Sequence, residues 1–324
     1  MPKTQDIRLP GCVIEAEKPS RFPRSPIMYI YGRSAGQRKG SYVQKFRTAA
    51  LQTAAKLPVI RRMVQSGGRL WRRSSQFRDI YSHECPSAAT PFSIFQNAWS
   101  SKVPGFETGT LDLFDDFRVR WMETQLGSFS GKRVLELGPL EGGHTCMMER
   151  AGANVIAIEA NQRSFLKCLI VKEALQLKSQ FLYGDFRPYL ETAQPGAFHF
   201  VLAAGVLYHM LEPVKLLHDI ARVTDAFGLW THYYDPAVTS SKLQFSPKPL
   251  IQTADGKSVE VYQQHYLWSV ALPSFCGGSG PTSCWLTKDG LLQYVKHLGF
   301  EIQVGEDNPH HPNGPTILLF ARRV

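Results

Sequence analysis

Two histidines, His209 and His232, follow apolar runs of the kind that form buried strands, and Glu159 and Asp185 close two further runs. An imidazole titrates near neutral pH and can take a proton from a reacting group, while a carboxylate accepts hydrogen bonds from hydroxyls and amines. The stretch Val134-Leu-Glu-Leu-Gly-Pro-Leu-Glu-Gly-Gly-His-Thr145 says what they would act around. It reads as a buried strand carrying Glu136 that breaks at Gly138 into a loop with glycines at 142 and 143, then enters a helix running to about Arg150. Such a loop brings backbone N–H groups at a helix N-terminus up to a closely approaching ligand. A second strand, Asn154-Val-Ile-Ala-Ile-Glu159, ends in an acid about twenty residues after the first glycine, where a ribose diol sits in a nucleotide-binding βαβ unit. The combination points to an adenosine-containing cofactor.

A dinucleotide fingerprint requires glycines at 138, 140 and 143, and position 140 is Leu. The loop instead resembles the first motif of the class I S-adenosylmethionine-dependent methyltransferases, E/D-x-G-x-G-x-G. It matches at Glu136, Gly138 and Gly142, with Leu140 in place of the middle glycine. The segment Val206-Leu-Tyr-His-Met-Leu-Glu-Pro213 is similar to a GVLYH stretch found in many members, including those that modify wobble uridines of tRNA. The resemblance covers about residues 92–324 and implies S-adenosyl-L-methionine as cofactor. It implies that Glu159 holds the ribose diol and that Gly138 and Gly142 let the methionine portion approach. Glu136 would orient the loop or the methionine amine, and Asp185 and Phe186 would meet the edge and face of the adenine. Pro139 and Gly205 complete the expected cofactor contacts. Methyl transfer needs alignment and, for a hydroxyl acceptor, removal of a proton. His209 is the candidate base, His232 its rival, and Tyr208 a residue that hydrogen-bonds or shapes the methyl site. Read from the residues alone, Asp185 is equally a helix cap, and a histidine at a strand-to-helix turn often satisfies backbone groups.

The elements that must position these residues alternate between strand and helix. A helix over 111–126, with Phe114, Phe117 and Trp121 on one face, precedes the first strand, and Trp99, Asp115, Asp116 and Arg118 are candidate lid or substrate contacts. Asn161 caps a helix, Phe181-Leu-Tyr-Gly-Asp185 is a third strand, and Phe198-His-Phe-Val-Leu-Ala-Ala-Gly205 is a fourth, buried on both faces. A helix over 212–223 and a fifth strand, Gly228-Leu-Trp-Thr-His-Tyr-Tyr-Asp235, follow. An Asp-Gly turn between Leu250-Ile-Gln-Thr and Ser258-Val-Glu-Val-Tyr predicts a hairpin inside an insertion at about 236–282. Its aromatics Tyr262, Tyr266, Trp268 and Phe275 would build either a substrate cap or only the hairpin's own small core. Thr287 caps a further helix, and Phe300-Glu-Ile-Gln-Val and Thr316-Ile-Leu-Leu-Phe-Ala-Arg322 are strands joined by a loop whose His310 and His311 face solvent. The family fold implied is α/β, a Rossmann-like seven-stranded sheet in order 3-2-1-4-5-7-6 with one antiparallel strand and helices on both faces.

At 43% hydrophobic and 20% charged, the composition is that of a globular protein. No apolar run reaches the roughly eighteen residues of a membrane span, and the first residues have no secretory core, so a soluble cytoplasmic protein is expected. Six cysteines without paired spacing point to reduced thiols, and His83-Glu84-Cys85 lacks the second ligand pair of a metal site, so no metal is expected. Residues 1–90 hold 17 basic and 5 acidic residues, net +12, while the other 20 basic and 22 acidic residues leave net −2. We therefore expect a basic, partly helical or flexible extension over 1–91, with basic amphipathic pieces at 41–57 and 59–73, appended to a catalytic domain over 92–324. The extension suits either packing on the core or contact with an anionic surface, and nucleic acid such as tRNA is a possible partner. The expected acceptor is a small molecule or glycan, methylated at oxygen. The alternatives are methyl or carboxymethyl transfer to tRNA wobble uridine, and a non-catalytic binding protein that works through its basic extension.

Overall fold

β1 (Arg133–Leu137) alternates its side chains between two buried environments. Leu135 and Leu137 join one apolar cluster and Val134 joins another, as a strand covered on both faces requires. The computed structural model describes residues 80–239, 244–266, 278 and 280–324. The basic pieces at 41–57 and 59–73, the extension up to residue 79, and Trp268 and Phe275 of the insertion lie outside the described residues.

α1 (Phe117–Leu126) precedes β1, and α2 (Gly143–Arg150), β2 (Asn154–Glu159), α3 (Gln162–Ala174), β3 (Gln180–Tyr183) and α4 (Phe186–Thr192) follow it. Then come β4 (Phe200–Ala204), α5 (Pro213–Val223), β5 (Ala226–His232) and the short α6 (Pro236–Thr239). The chain continues through β6 (Leu250–Ala254), β7 (Lys257–His265), β8 (Thr282–Leu286), α7 (Lys288–His297), β9 (Phe300–Asn308) and β10 (Thr316–Arg323). The main sheet runs β3-β2-β1-β4-β5-β10-β9. β1 to β5 pair in parallel, whereas β10 is antiparallel to both β5 and β9. Numbered within the sheet this is 3-2-1-4-5-7-6 with one antiparallel strand, the order the resemblance implied. α4, α5 and α7 cover one face, with Phe186, Leu216, Leu217, Ile220, Leu291 and Tyr294 in a shared cluster. Val119 and Met122 of α1 and Met148 of α2 pack on the other.

Asn161 accepts from Ser164 N at 3.0 Å and Thr287 Oγ1 from Gly290 N at 3.0 Å, so both predicted caps form. The helix expected over 111–126 starts only at Phe117, because the Asp116 carboxylate accepts from Arg118 N at 2.9 Å and caps it there. Phe117 consequently points outward, 52% exposed, while Phe114 is buried. β6 and β7 pair across Asp255 and Gly256, whose φ values of 49° and 69° are those of a type I′ hairpin turn. β8, which the apolar pattern did not reveal, adds a third strand beside β7. Its Cys284 N donates to Met210 O at 2.7 Å, which docks this small sheet on the segment after β4.

Gly143 shows how closely the chain upstream of α1 approaches the loop. A Cβ there would lie 2.5 Å from Leu113 O, a backbone atom that cannot swing aside. Gly143→Ala is expected to destabilise the protein by about 1–3 kcal/mol, the usual cost of overpacking. Thermal unfolding measures it, and an unchanged midpoint would show that the 113 segment yields freely.

Candidate active site

The loop after β1 is built from left-handed residues: Gly138 (φ 67°), Leu140 (φ 57°) and Gly142 (φ 79°). Leu140 thus adopts the conformation for which the family motif carries glycine, at a cost of roughly 1–2 kcal/mol. Two contacts hold it: its N–H donates to Glu159 Oε2 at 3.1 Å, and its carbonyl accepts from Cys168 Sγ at 3.6 Å. Glu159, at the end of β2, also accepts from Asn161 N at 2.7 Å. It is 8% exposed, and burial pushes its carboxyl up to about 6. A carboxylate accepts more than one hydrogen bond per oxygen, so Glu159 can support the loop and still receive hydroxyls. Pro139 is buried within the loop.

Beneath the loop, Glu136 is 2% exposed, accepts from Thr145 Oγ1, and has its carboxyl raised by burial. His144 Nδ1 lies 3.9 Å from Glu136 Oε1, and its Nε2 is 2.9 Å from Asp116 Oδ2. Burial alone would raise the Asp116 carboxyl, but hydrogen bonds from His144 and Arg118 hold it well below the usual carboxylate range. The Arg118 guanidinium that pairs with Asp116 lies over the Trp230 ring, 4.7 Å from its centroid. Asp116 and Arg118, expected as lid or substrate contacts, are therefore paired with each other. Asp115 is exposed beside Arg120, and Trp99 Nε1 donates to Phe92 O at 3.0 Å.

Asp185 caps α4 by accepting from Arg187 N at 2.9 Å, and the Arg187 guanidinium also pairs with its carboxylate. Burial opposes, and those hydrogen bonds outweigh, so its carboxyl is lowered. Phe186 packs into the core cluster, 6% exposed. Gly205 follows β4 with φ 87°, its N–H donating to Trp230 O at 2.8 Å.

Next to Gly205 is a cluster of rings. Tyr208 and His209 lie on the 3-10 turn Leu207–His209. The Tyr208 ring is 4.1 Å from that of His209, 4.5 Å from His232, and about 6 Å (6.2 and 6.1 Å) from Trp230 and Trp285. His232 is stacked on Trp285 at 5.1 Å and 11°. Its Nδ1–H donates to Gly314 O at 2.9 Å, so the neutral ring presents Nε2 as its acceptor. His209 Nδ1 is 2.8 Å from the Tyr266 hydroxyl, and burial, reinforced by His232, pulls its imidazole down to about 4. It is neutral at physiological pH. Of the loop histidines, His310 is exposed as expected, but His311 turns inward, 5.2 Å from His232 and 6.0 Å from Trp230. Of the described insertion aromatics, Tyr262 does not sit in an isolated hairpin core, since it packs with Tyr208 on a cluster of Tyr234, Phe245 and Trp285. Trp230, Trp285 and His311 carried no motif signal. Among the described residues no His, Cys, Asp or Glu cluster could hold a metal, and Cys85, Cys146, Cys168 and Cys284 are free thiols.

Residues 135–230, which span the glycine loop, both strand-end acids and the ring cluster's first half, match the sequence profile of a family described as "Methyltransferase domain". Over that stretch, 96 of the 324 residues, the chain carries a methyltransferase domain of the class I S-adenosylmethionine-dependent type. Among curated proteins, the chain is 28% identical over 153 residues to "Ubiquinone biosynthesis O-methyltransferase" of Bordetella bronchiseptica. The protein of the same description from Bordetella pertussis is 29% identical over 153 residues. Each alignment covers 44% of this chain and 57% of the relative, so the chain spans little more than half the length of the curated relatives it matches. The crystal structure of the N-terminal domain of EvdMO1, with SAH bound, shares its fold with a TM-score of 0.54 at 23% identity, over 74% of this chain and all of that domain. The family's cofactor is S-adenosylmethionine, and the carboxylate of Glu159 beside the left-handed loop is an acceptor of the kind that ribose hydroxyls donate to. No helix among the described residues is long and apolar enough to cross a membrane.

Proposed function

We propose that this chain methylates an oxygen of a small-molecule acceptor bound against the rings beside Gly205. The observation that carries this reading is the pair of histidines on neighbouring strand ends: His209 is neutral, and His232 is fixed with Nδ1–H turned away on Gly314 O. A hydroxyl acceptor must lose its proton as it gains the methyl group, and a neutral imidazole within reach can take it. Aromatic faces on Tyr208, Trp230 and Trp285 suit the flat or apolar face of a small ligand. The descriptions of the Bordetella relatives, which name an O-methyltransferase, are consistent with oxygen as the accepting atom.

When bound, S-adenosylmethionine supplies a methyl group on an already activated sulfonium. Glu159 would receive the ribose hydroxyls, and the backbone of Gly138, Pro139 and Gly142 would lie along the methionine portion. Asp185 and Phe186 would flank the adenine, which requires the Asp185 carboxylate to share itself with Arg187. Gly205 would leave open the side facing the acceptor, since a Cβ there meets nothing closer than Tyr208 Oη at 3.9 Å. Tyr208 would shape the methyl site, and His209 or His232 would hold the acceptor proton.

Radiolabelled S-adenosylmethionine offered with three pools, namely simple phenols and catechols, free and lipid-linked sugars, and tRNA, tests the reading. Label is expected in a small molecule at oxygen. Transfer only to tRNA, or only to nitrogen, would overturn it.

A further inference from the structure

Glu141 stands in the middle of the cofactor loop, between left-handed Leu140 and left-handed Gly142, and is completely buried. None of its hydrogen-bond partners comes from the loop. Ser100 N donates to both oxygens at 3.0 and 3.2 Å, Ser101 N donates to Oε2 at 2.7 Å, and Lys167 Nζ of α3 donates to Oε1 at 2.7 Å. The same ammonium donates to Ala98 O and lies 5.3 Å from the Trp99 ring centroid. Ser100 O in turn accepts from Thr110 N and Leu111 N, both at 2.9 Å, so the strap 98–111 is folded on itself around the carboxylate. A second contact is independent of the charge: the strap's continuation, Leu113, closes on Gly143 with no room for a side chain.

A buried ion pair is seldom a source of stability, because desolvation cancels much of the attraction and apolar residues of like volume serve as well. Its distinct contribution is geometric, since it accepts only one arrangement of its partners. From this placement we infer that Glu141 is a positioning residue for the cofactor. It pins the peptide between Leu140 and Gly142 to the strap 98–111, so the loop holds its ligand-binding shape only while the strap is docked. The inference rests on the cofactor reading above and adds to it a residue that touches no ligand.

Two measurements test it. In the first, S-adenosylhomocysteine is titrated into wild type, Glu141→Asp, and a Glu141→Met/Lys167→Met double variant, with thermal unfolding followed in parallel. The apolar double variant should unfold near the wild-type temperature yet bind about ten- to a hundredfold more weakly, the range that loss of a charge-assisted hydrogen bond produces. Glu141→Asp keeps the charge but shortens the reach, and should also bind more weakly. Wild-type affinity in either folded variant would overturn the proposal. In the second, which needs no variant, hydrogen exchange of wild type is compared with and without S-adenosylhomocysteine. Slower exchange at the Ser100, Ser101, Thr110 and Leu111 amides together with Leu140 is expected, and protection confined to the loop would overturn the proposal. A folded wild type that binds no S-adenosylhomocysteine would instead sink the cofactor assignment itself, an outcome these two readouts separate.

Discussion

Glu159→Ala is expected to weaken S-adenosylhomocysteine binding by about a hundredfold or more if Glu159 receives the ribose hydroxyls as proposed, because two donors would each lose a charged acceptor. The same substitution frees Leu140 N and Asn161 N, which the carboxylate now holds at 3.1 and 2.7 Å, so part of the loss comes from the loop itself. Glu159→Gln separates the two effects, since an amide oxygen can still accept one backbone bond. The pH dependence follows from burial, which raises this carboxyl to about 6. Hydroxyl donors favour the ionised form, so affinity should be flat above about pH 7 and fall by up to about tenfold per unit as pH drops below 6. Calorimetric titration between pH 5 and 8 measures it. An affinity independent of pH in wild type, or equally pH-dependent in Glu159→Gln, would show that another group meets the ribose.

The second large effect concerns the base. His209→Ala should lower kcat by about a hundred- to ten-thousandfold if His209 takes the acceptor proton, leaving S-adenosylhomocysteine affinity within about twofold of wild type. A general base works in its neutral form, and burial holds this imidazole at about 4. With S-adenosylmethionine saturating, so that the Glu159 titration does not enter, the acid limb of kcat/KM for the acceptor should therefore lie near pH 4, with a flat profile from about pH 5.5 upward. His232→Gln provides the comparison: if it carries the larger loss, and the acid limb lies higher, His232 is the base and His209 a wall residue held by Tyr266. If both variants keep full activity, proton removal does not use these imidazoles.

Local signals in the chain were enough for the loop, the strand-end acid and the alternation of strand and helix, whereas the sheet order came from the family resemblance. A glycine at a left-handed turn, an acid at the end of an apolar run and an Asn or Thr before an amphipathic helix each act through near neighbours. The elements that local signals missed depend on distant partners. β8 forms only because Val261 to His265 of β7 are there to pair with it, and Trp285 becomes part of the site because its indole N–H reaches Tyr208 O, 77 residues upstream. Glu141 carries no signal of its own in the sequence, because its partners lie 41, 40 and 26 residues away. The start of α1 was misplaced for the opposite reason. Phe114 and Phe117 fall at helical spacing, but the Asp116 side chain offers the backbone a competing bond and wins.

The sheet order also constrains how this protein acquires its shape. β10 lies between β5 and β9, although both precede it in the chain, and it pairs with each over most of its length. While the polypeptide is emerging from a ribosome, β5 therefore presents an unpaired edge carrying Phe227, Leu229 and Trp230 until Thr316–Arg323 arrive. Contacts across so long a separation form slowly, and an open apolar edge is where chains join one another by mistake. Variants that weaken β10, such as Leu319→Ala in its fully buried centre, should show their damage first as low yield and aggregation during synthesis, before any defect in the purified protein.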